Sequence, residues 1–398
     1  MPFVIYIFAL SAFALGLAEF VPIGLTDAMA GTLGVDIAQT GTAITAYALG
    51  ATFSAPILTA MTANWSRKRV MLVTTLVFAA GSLFAATATN LHMLLVARFV
   101  AGIGHGLFLA VASSTAARLA GSKKSGSAVA VVFGGFTLAM AIGVPVSTYL
   151  GATISWRPVL AAIGAFGALG FVGLLIGMRD PINPDHGTKQ STMTALKALF
   201  NGKLLAGALV TVFGYAGSFA AYTYIAPMLT QVTKLSANTV SIFMMIYGVL
   251  AAVGNVMGGK MTDRLGVNRA STLLIAGIAL AVLGMWLFVS SPVSMAVLVA
   301  LLGLFTFAAV PALQARLISV AEAHIPNAHG VAAGLNIAGF NSGIALGSLL
   351  GGVTIDHVGI ASTGATGAIA SAIGLALLLT QVARDTGGSY RSVRDAGH

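Results

Sequence analysis

Apolar stretches of about twenty residues recur along this chain, and that repetition constrains its fold more than any other feature. A helix needs about 20 such residues to cross the hydrocarbon core of a bilayer. Twelve segments qualify, at residues 4–25, 41–62, 70–89, 93–117, 127–150, 157–177, 204–229, 237–258, 270–290, 293–315, 330–352 and 361–382. In lipid every backbone polar group must be bonded internally, so each segment is expected to be helical and the chain to be an all-α membrane protein. Only 8% of residues are charged and the mean hydropathy is +0.96. A soluble domain carries about 25% charged residues, so this chain cannot cover a water-facing surface. The 48 glycines suit helices packed closely in a membrane.

The charges that remain report orientation. With the N-terminus on the cytoplasmic side, 17 of the 20 Lys and Arg fall on inside loops or the C-terminal tail. They include Arg67, Lys68, Arg69, Lys260, Arg264 and Arg316. Arg157 and Lys234 fall outside, and Arg98 lies within the fourth segment. That asymmetry follows the positive-inside rule. It makes the net charge of +10 a topology signal toward anionic lipid and argues against a nucleic-acid partner. Both termini are expected in the cytoplasm. No basic n-region precedes the first apolar run, so no cleavable signal peptide is expected.

One acid breaks the pattern. Glu19 lies inside the apolar run from Phe3 to Thr26, whereas the other nine acids fall at or beyond segment ends. A carboxylate at bilayer depth costs on the order of 3 kcal/mol, which points to proton uptake and release. Pro22, three residues on, frees the carbonyl of Ala18 beside it. The other reading of Glu19 is a protonated side chain that locks helix packing. Arg98, Gly102 and His105 share one helix face. Arg98 either tunes a nearby acid or anchors helix carbonyls, and His105 either relays protons or packs. Tyr47, Phe213, Phe219, Tyr222, Tyr224, Phe243 and Tyr247 are candidates for an aromatic wall against an amphipathic molecule. Gln314, Asn336 and Asn341 either orient that molecule or bond helix to helix. The absence of Cys excludes disulfides and thiol chemistry. No phosphate-binding glycine loop is present, so ATP is not the expected energy source. Glu322, His324 and His329 read as a solvated loop, and no metal, cofactor or enzymatic chemistry is expected.

The longest polar stretch, Arg179 to Lys203, divides the segments six and six. The expected organisation is a first bundle at 1–178, a linker at 179–203, a second bundle at 204–383 and a tail at 384–398. Tyr47 to Arg69 and Tyr247 to Arg269 are weakly alike. Both run from Tyr through small and apolar residues into a basic turn. By that spacing the second-half counterpart of Arg98 is Val297. Two repeated bundles suit a rocking transporter.

On these motifs the chain resembles the major facilitator superfamily over its whole length. Gly259-Lys-Met-Thr-Asp263-Arg264-Leu-Gly266 looks like the superfamily's cytoplasmic loop signature. Its first-half counterpart is degraded, with Asn64 in the Asp position ahead of Arg67 and Arg69. Arg98-x-x-x-Gly102-x-x-x-Gly106 resembles the fourth-helix motif. Gly143-Val-Pro145 and Gly151 resemble the antiporter motif of drug:proton antiporters. A narrower resemblance is to the arabinose-efflux-permease and chloramphenicol-exporter branch, carried by Glu19 to Leu25, Gly104 to Phe108, Ser155 to Arg157 and Tyr222 to Pro227. Thr26-Asp27 departs from that branch, where Leu-Pro is usual. The resemblance implies a twelve-helix fold of two pseudo-symmetric bundles and export of a small molecule in exchange for protons. It also implies that Asn64, Arg67, Arg69, Gly259, Asp263, Arg264 and Gly266 act in gating. A monomer in a bacterial cytoplasmic membrane is expected. A proton-linked importer or uniporter of the same fold is one alternative, and a non-transporting sensor or scaffold another.

Overall fold

The computed structural model describes residues 2–62, 65–120, 125–178, 199–324 and 329–395. The first half holds α1 (Phe3–Gly24), α2 (Thr26–Leu33), α3 (Ile37–Met61), α4 (Arg67–Ala86), α5 (Leu91–Ala120), α6 (Ser125–Leu138), α7 (Val144–Thr153) and α8 (Trp156–Gly177). The second half holds α9 (Gly202–Tyr222), α10 (Ile225–Gln231), α11 (Ala237–Leu265), α12 (Val267–Leu287), α13 (Pro292–His324), α14 (His329–His357) and α15 (Thr363–Asp395). Among the described residues, twelve spans are long and apolar enough to cross a membrane, with α6–α7 and α9–α10 each forming one broken span. Many large apolar side chains stay exposed, among them Leu76, Val96, Ile176, Val256 and Leu280. In a bilayer such a belt meets acyl chains rather than water.

Proline explains the break between α9 and α10. Pro227 has no N–H to give the carbonyl of Thr223, so the helix stops at Tyr222 and restarts at Ile225. In the fifth span a π-helical turn, Ala139–Gly143, precedes Pro145, and Val144 N–H reaches back to Ala139 O. Several helices extend beyond the apolar core of their segments. Asp263 and Arg264 lie in the last turn of α11 rather than in a loop. Arg316, Glu322 and His324 lie in α13, and helix continues through 384–395, where a tail was expected. Arg316 is a larger departure, because it is buried. Its Nε donates to Asn268 Oδ1 (3.2 Å) and its Nη2 to Gln381 Oε1 (2.8 Å).

Within the first half α3 lies along α5, α4 along α5 and α8, and α1 along α6 and α8. Within the second, α11 lies along α13, and α9 along α14 and α15. Glycine sets the closest of these contacts. A Cβ at Gly102 would fall 2.0 Å from Tyr47 O, and one at Gly303 would fall 2.5 Å from Tyr247 O. The two halves thus repeat one backbone contact. That contact places Val299, not Val297, opposite Arg98, since each lies four residues before its glycine.

The halves meet through α3 with α14, and through α11 with α7 and the π turn. Hydrogen bonds across this interface gather toward the face where α1 ends and α3 begins. Ser348 Oγ donates to Gly41 O (2.8 Å) and Thr45 Oγ1 to Ala345 O (3.4 Å). On the opposite face, which carries Arg67, Arg69, Lys260 and Arg264, an open groove of about 780 Å³ runs beside α11. We refer to that side as the basic face.

Glycines 258 and 259 give a matched test of the packing. A Cβ at Gly258 would fall 2.0 Å from Ala308 O, whereas one at Gly259 would meet nothing within 4 Å. Gly258→Ala is expected to cost about 1–3 kcal/mol by overpacking. It should lower the thermal midpoint in detergent, and Gly259→Ala, which gains helix propensity without a clash, should not.

Candidate functional site

The site begins with a carbonyl. Pro22 cannot bond Ala18 O, and that oxygen instead accepts a hydrogen bond from Arg98 Nη1 at 2.6 Å. Arg98 Nε donates to Ala43 O on α3 at 3.3 Å, so one guanidinium ties α5 to α1 and α3. The same group lies 4.2 Å above the Tyr47 ring, where the ring's negative face attracts it. Tyr47 Oη is 2.9 Å from His105 Nδ1. Glu19 Oε2 lies 3.9 Å from that nitrogen. The path from Glu19 through His105, Tyr47 and Arg98 therefore returns to α1 one residue before its start. Arg98 and His105 are each 3% exposed and Glu19 6%.

A buried guanidinium cannot shed its charge and must be compensated. Two carbonyls and a ring provide part of that, and Arg98 Nη2 finds no hydrogen-bond partner among the described residues. Glu19 and His105 are the nearby groups that can change charge. With the imidazole neutral, the cluster is neutral when Glu19 is ionised and cationic when Glu19 is protonated.

Aromatic rings continue from this cluster across the half interface. His105 meets Phe136 at 6.1 Å, and Phe136 meets Phe20 edge-on at 5.7 Å. Phe20 touches Phe219 and Phe307 of the second half, at 6.3 and 5.8 Å. Tyr222 and Tyr247 stack at 3.8 Å, and Tyr215 meets Phe340 at 4.6 Å. The Tyr247 hydroxyl is buried beside the Ser218 and Thr306 hydroxyls, which bond each other at 2.7 Å. The arrangement offers π faces with a few polar atoms, which suits an amphipathic ligand with an aromatic part.

The residues picked out by sequence divide between several places. Tyr47, Tyr222 and Tyr247 lie in this band, and Phe213 and Phe243 join none of its ring pairs. Tyr224 lies away from it, donating to Ser348 O (2.8 Å) and Ala38 O (3.4 Å) at the face opposite the basic one. Asn336 bridges Thr211 and Gln314 between helices, at 2.7 and 2.8 Å. Asn341 donates within α14 to Ile337 O (3.0 Å), and its Oδ1 is buried with no partner among the described residues. Gly143 makes room for Leu17 of α1 and Gly151 for Leu25 just beyond it, with Pro145 buried between them. Asp263 and Arg264 are exposed on the basic face, and Gly266 has φ +79°, a conformation that favours glycine. Arg69 lies over the Trp65 ring at 4.3 Å, and Arg67 begins α4. Asn64 lies outside the described residues. Sequence reasoning missed Phe20, Phe136, Tyr215, Phe307 and Phe340, because rings inside apolar runs look the same whether they face lipid or a partner helix.

Two six-helix halves around a buried polar cluster define a membrane transporter. The family profile described as Major Facilitator Superfamily matches residues 8–336 and 221–395. The chain is 38% identical over 359 residues to the uncharacterized MFS-type transporter YtbD of Bacillus subtilis, covering 89% of each. It is 33% identical to the inner membrane transport protein YdhP of Escherichia coli K12, covering 93% of each. It is 30% identical to a chloramphenicol resistance protein of Streptomyces lividans, covering 90% of each. The crystal structure of the nucleoside transporter NupG (D323A mutant) has the same fold, with a TM-score of 0.77 at 18% identity over 96% of this chain and 98% of that one. The chain belongs to the major facilitator superfamily and is a multi-pass membrane transporter.

Arg98→Ala should orphan the Ala18 carbonyl, at about 1–3 kcal/mol, and remove a second bond to Ala43 O. The thermal midpoint is expected to fall clearly. Arg98→Lys should fall less, because a lysine serves one carbonyl as a point charge but cannot fork to two.

Proposed function

We propose that this transporter exports a small amphipathic molecule from a bacterial cytoplasm in exchange for protons entering down their gradient. Glu19 carries the proton, Arg98 senses its charge, and His105 with Tyr47 links the two. Substrate lies against the aromatic band of Phe20, Phe219, Tyr222, Tyr247 and Phe307. Exposed Asp263 and Arg264, with the basic first turn of α4, act in gating. The basic face is cytoplasmic in this reading, as the Lys and Arg distribution suggests.

The observation that carries the reading is one buried carboxylate in the first half, held 3.9 Å from a histidine and tied through Tyr47 to a guanidinium. Loading that carboxylate with a proton changes the net charge of a low-dielectric cluster by one unit. A charge change there is the kind of local event that biases a two-state packing. The similarity to a chloramphenicol resistance protein supports export of a drug-like compound.

The test uses purified protein in proteoliposomes with an imposed pH gradient and a panel of labelled amphipathic compounds. Wild-type protein is expected to drive uphill transport opposite to proton flow. Glu19→Gln should abolish gradient-driven transport while substrate exchange persists. Uphill transport by Glu19→Gln at the wild-type rate would falsify the proton-carrier role. Accumulation in the direction of proton flow would replace export by import, and a rate independent of pH would remove proton coupling altogether.

A further inference from the structure

The groove beside α11 is apolar at membrane depth and cationic at the basic face. One side of α11 stays exposed along the helix, at Ile242, Met245 and Val249 and on through Val253 and Val256, which are 52% and 62% exposed. Contacts between the halves close the face opposite the basic one, so a stripe open from end to end meets the bilayer and not a space between the halves. The groove takes up the last turns of this stripe. It starts one turn past Gly248, where α11 touches the π turn so closely that a Cβ would fall 2.2 Å from Met140 O.

Two rows of side chains at four-residue spacing line the groove. Ala252, Val256, Lys260 and Arg264 form one row, and Val253, Met257 and Met261 lie beside them. That spacing stacks side chains on one helix face. From Ala252 to Lys260 the helix rises about 12 Å, at about 1.5 Å per residue. The hydrocarbon of one leaflet is about 15 Å thick. An acyl chain laid on Ala252, Val253 and Val256 therefore brings its phosphate to the height of Lys260 and Arg264. Met257 and Met261 are unbranched and adapt to a chain with no single shape. Lys260 supplies a point charge and Arg264 a planar fork that matches phosphate oxygens.

The charges select among headgroups. Neither Lys260 nor Arg264 has an ion-pair partner among the described residues. No acid lines the groove among those residues either, and Asp263, in the same turn, is exposed outside it. A zwitterionic headgroup would bring an ammonium against two cations, whereas a headgroup of net negative charge would not. Cations gathered at the membrane surface are a recognised way to hold acidic lipid.

We propose that this groove binds an anionic phospholipid of the leaflet at the basic face, with the phosphate on Lys260 and Arg264 and one acyl chain along Ala252, Val253 and Val256. The inference needs only the membrane fold and does not rest on the export reading.

The test uses full-length protein stripped of lipid in detergent. It is titrated with phosphatidylglycerol and, separately, with phosphatidylethanolamine of the same chains, and bound lipids are counted by native mass spectrometry. Wild-type protein should bind a first phosphatidylglycerol more tightly than any later one, and more tightly than phosphatidylethanolamine. Each cation at a membrane surface is worth about fivefold in affinity, so Lys260→Gln/Arg264→Gln should weaken that first phosphatidylglycerol about thirtyfold. Phosphatidylethanolamine binding should not change. Lys203→Gln/Arg269→Gln removes two exposed cations at the starts of α9 and α12, outside the groove, and should leave the first phosphatidylglycerol in place. Ala252→Phe, which fills the deep end, should weaken it with both cations intact. Equal losses from the two double variants would reduce the preference to general surface attraction and overturn the site. Equal wild-type affinity for the two lipids would do the same. Displacement of the lipid by millimolar inorganic phosphate, with Ala252→Phe binding as wild type, would make this an ion site and overturn the lipid assignment.

Discussion

In a bilayer a backbone carbonyl has no water to turn to, and the structure depends on how the carbonyl of Ala18 is satisfied. Pro22 frees it and Arg98 takes it at 2.6 Å. Removing either residue changes the other's reason to be there. An arginine without that carbonyl is an undercompensated buried cation, and a carbonyl without that arginine is an orphaned acceptor at membrane depth. Because Arg98 also reaches Ala43 and stacks on Tyr47, three helices of the first half share one charge. Glu19 lies next to this knot on α1. Its position beside the freed carbonyl makes a proton there a matter for three helices rather than one.

The fold was largely legible in the sequence, because a bilayer enforces length and hydropathy so strictly. All twelve expected segments are helical spans, and their ends differ mainly where polar residues continue a helix past the apolar core. Arg316 shows the limit of reading by charge. An arginine near a segment end reads as a loop cation, yet Asn268 and Gln381 hold it inside the second half. The inter-half register was legible only approximately. Tyr47 and Tyr247 were matched from the start, but the glycine contacts move the partner of Arg98 from Val297 to Val299.

The site was legible where a residue was chemically costly and illegible where it was not. Glu19, Arg98 and His105 stand out because each is expensive in lipid, and the structure brings all three together. Phe20, Phe136 and Phe307 cost nothing in lipid, and only tertiary packing separates them from rings that face acyl chains. Asp27 falls at a segment end, where acids are ordinary. It accepts from Thr230 and Gln231, about two hundred residues away, and no local pattern predicts that pairing.

The repeated contact of Gly102 with Tyr47 O and Gly303 with Tyr247 O has a mechanical consequence. Each half possesses the same backbone hinge-pin, too tight to slide because a glycine and a carbonyl already touch. Sliding within α3–α5 or α11–α13 is therefore sterically opposed. The two pins carry different side chains: Tyr47 lies beneath a cation, while Tyr247 lies against Tyr222. Identical gears are thus fitted with unlike handles, one that electric charge can turn and one that only shape and stacking can.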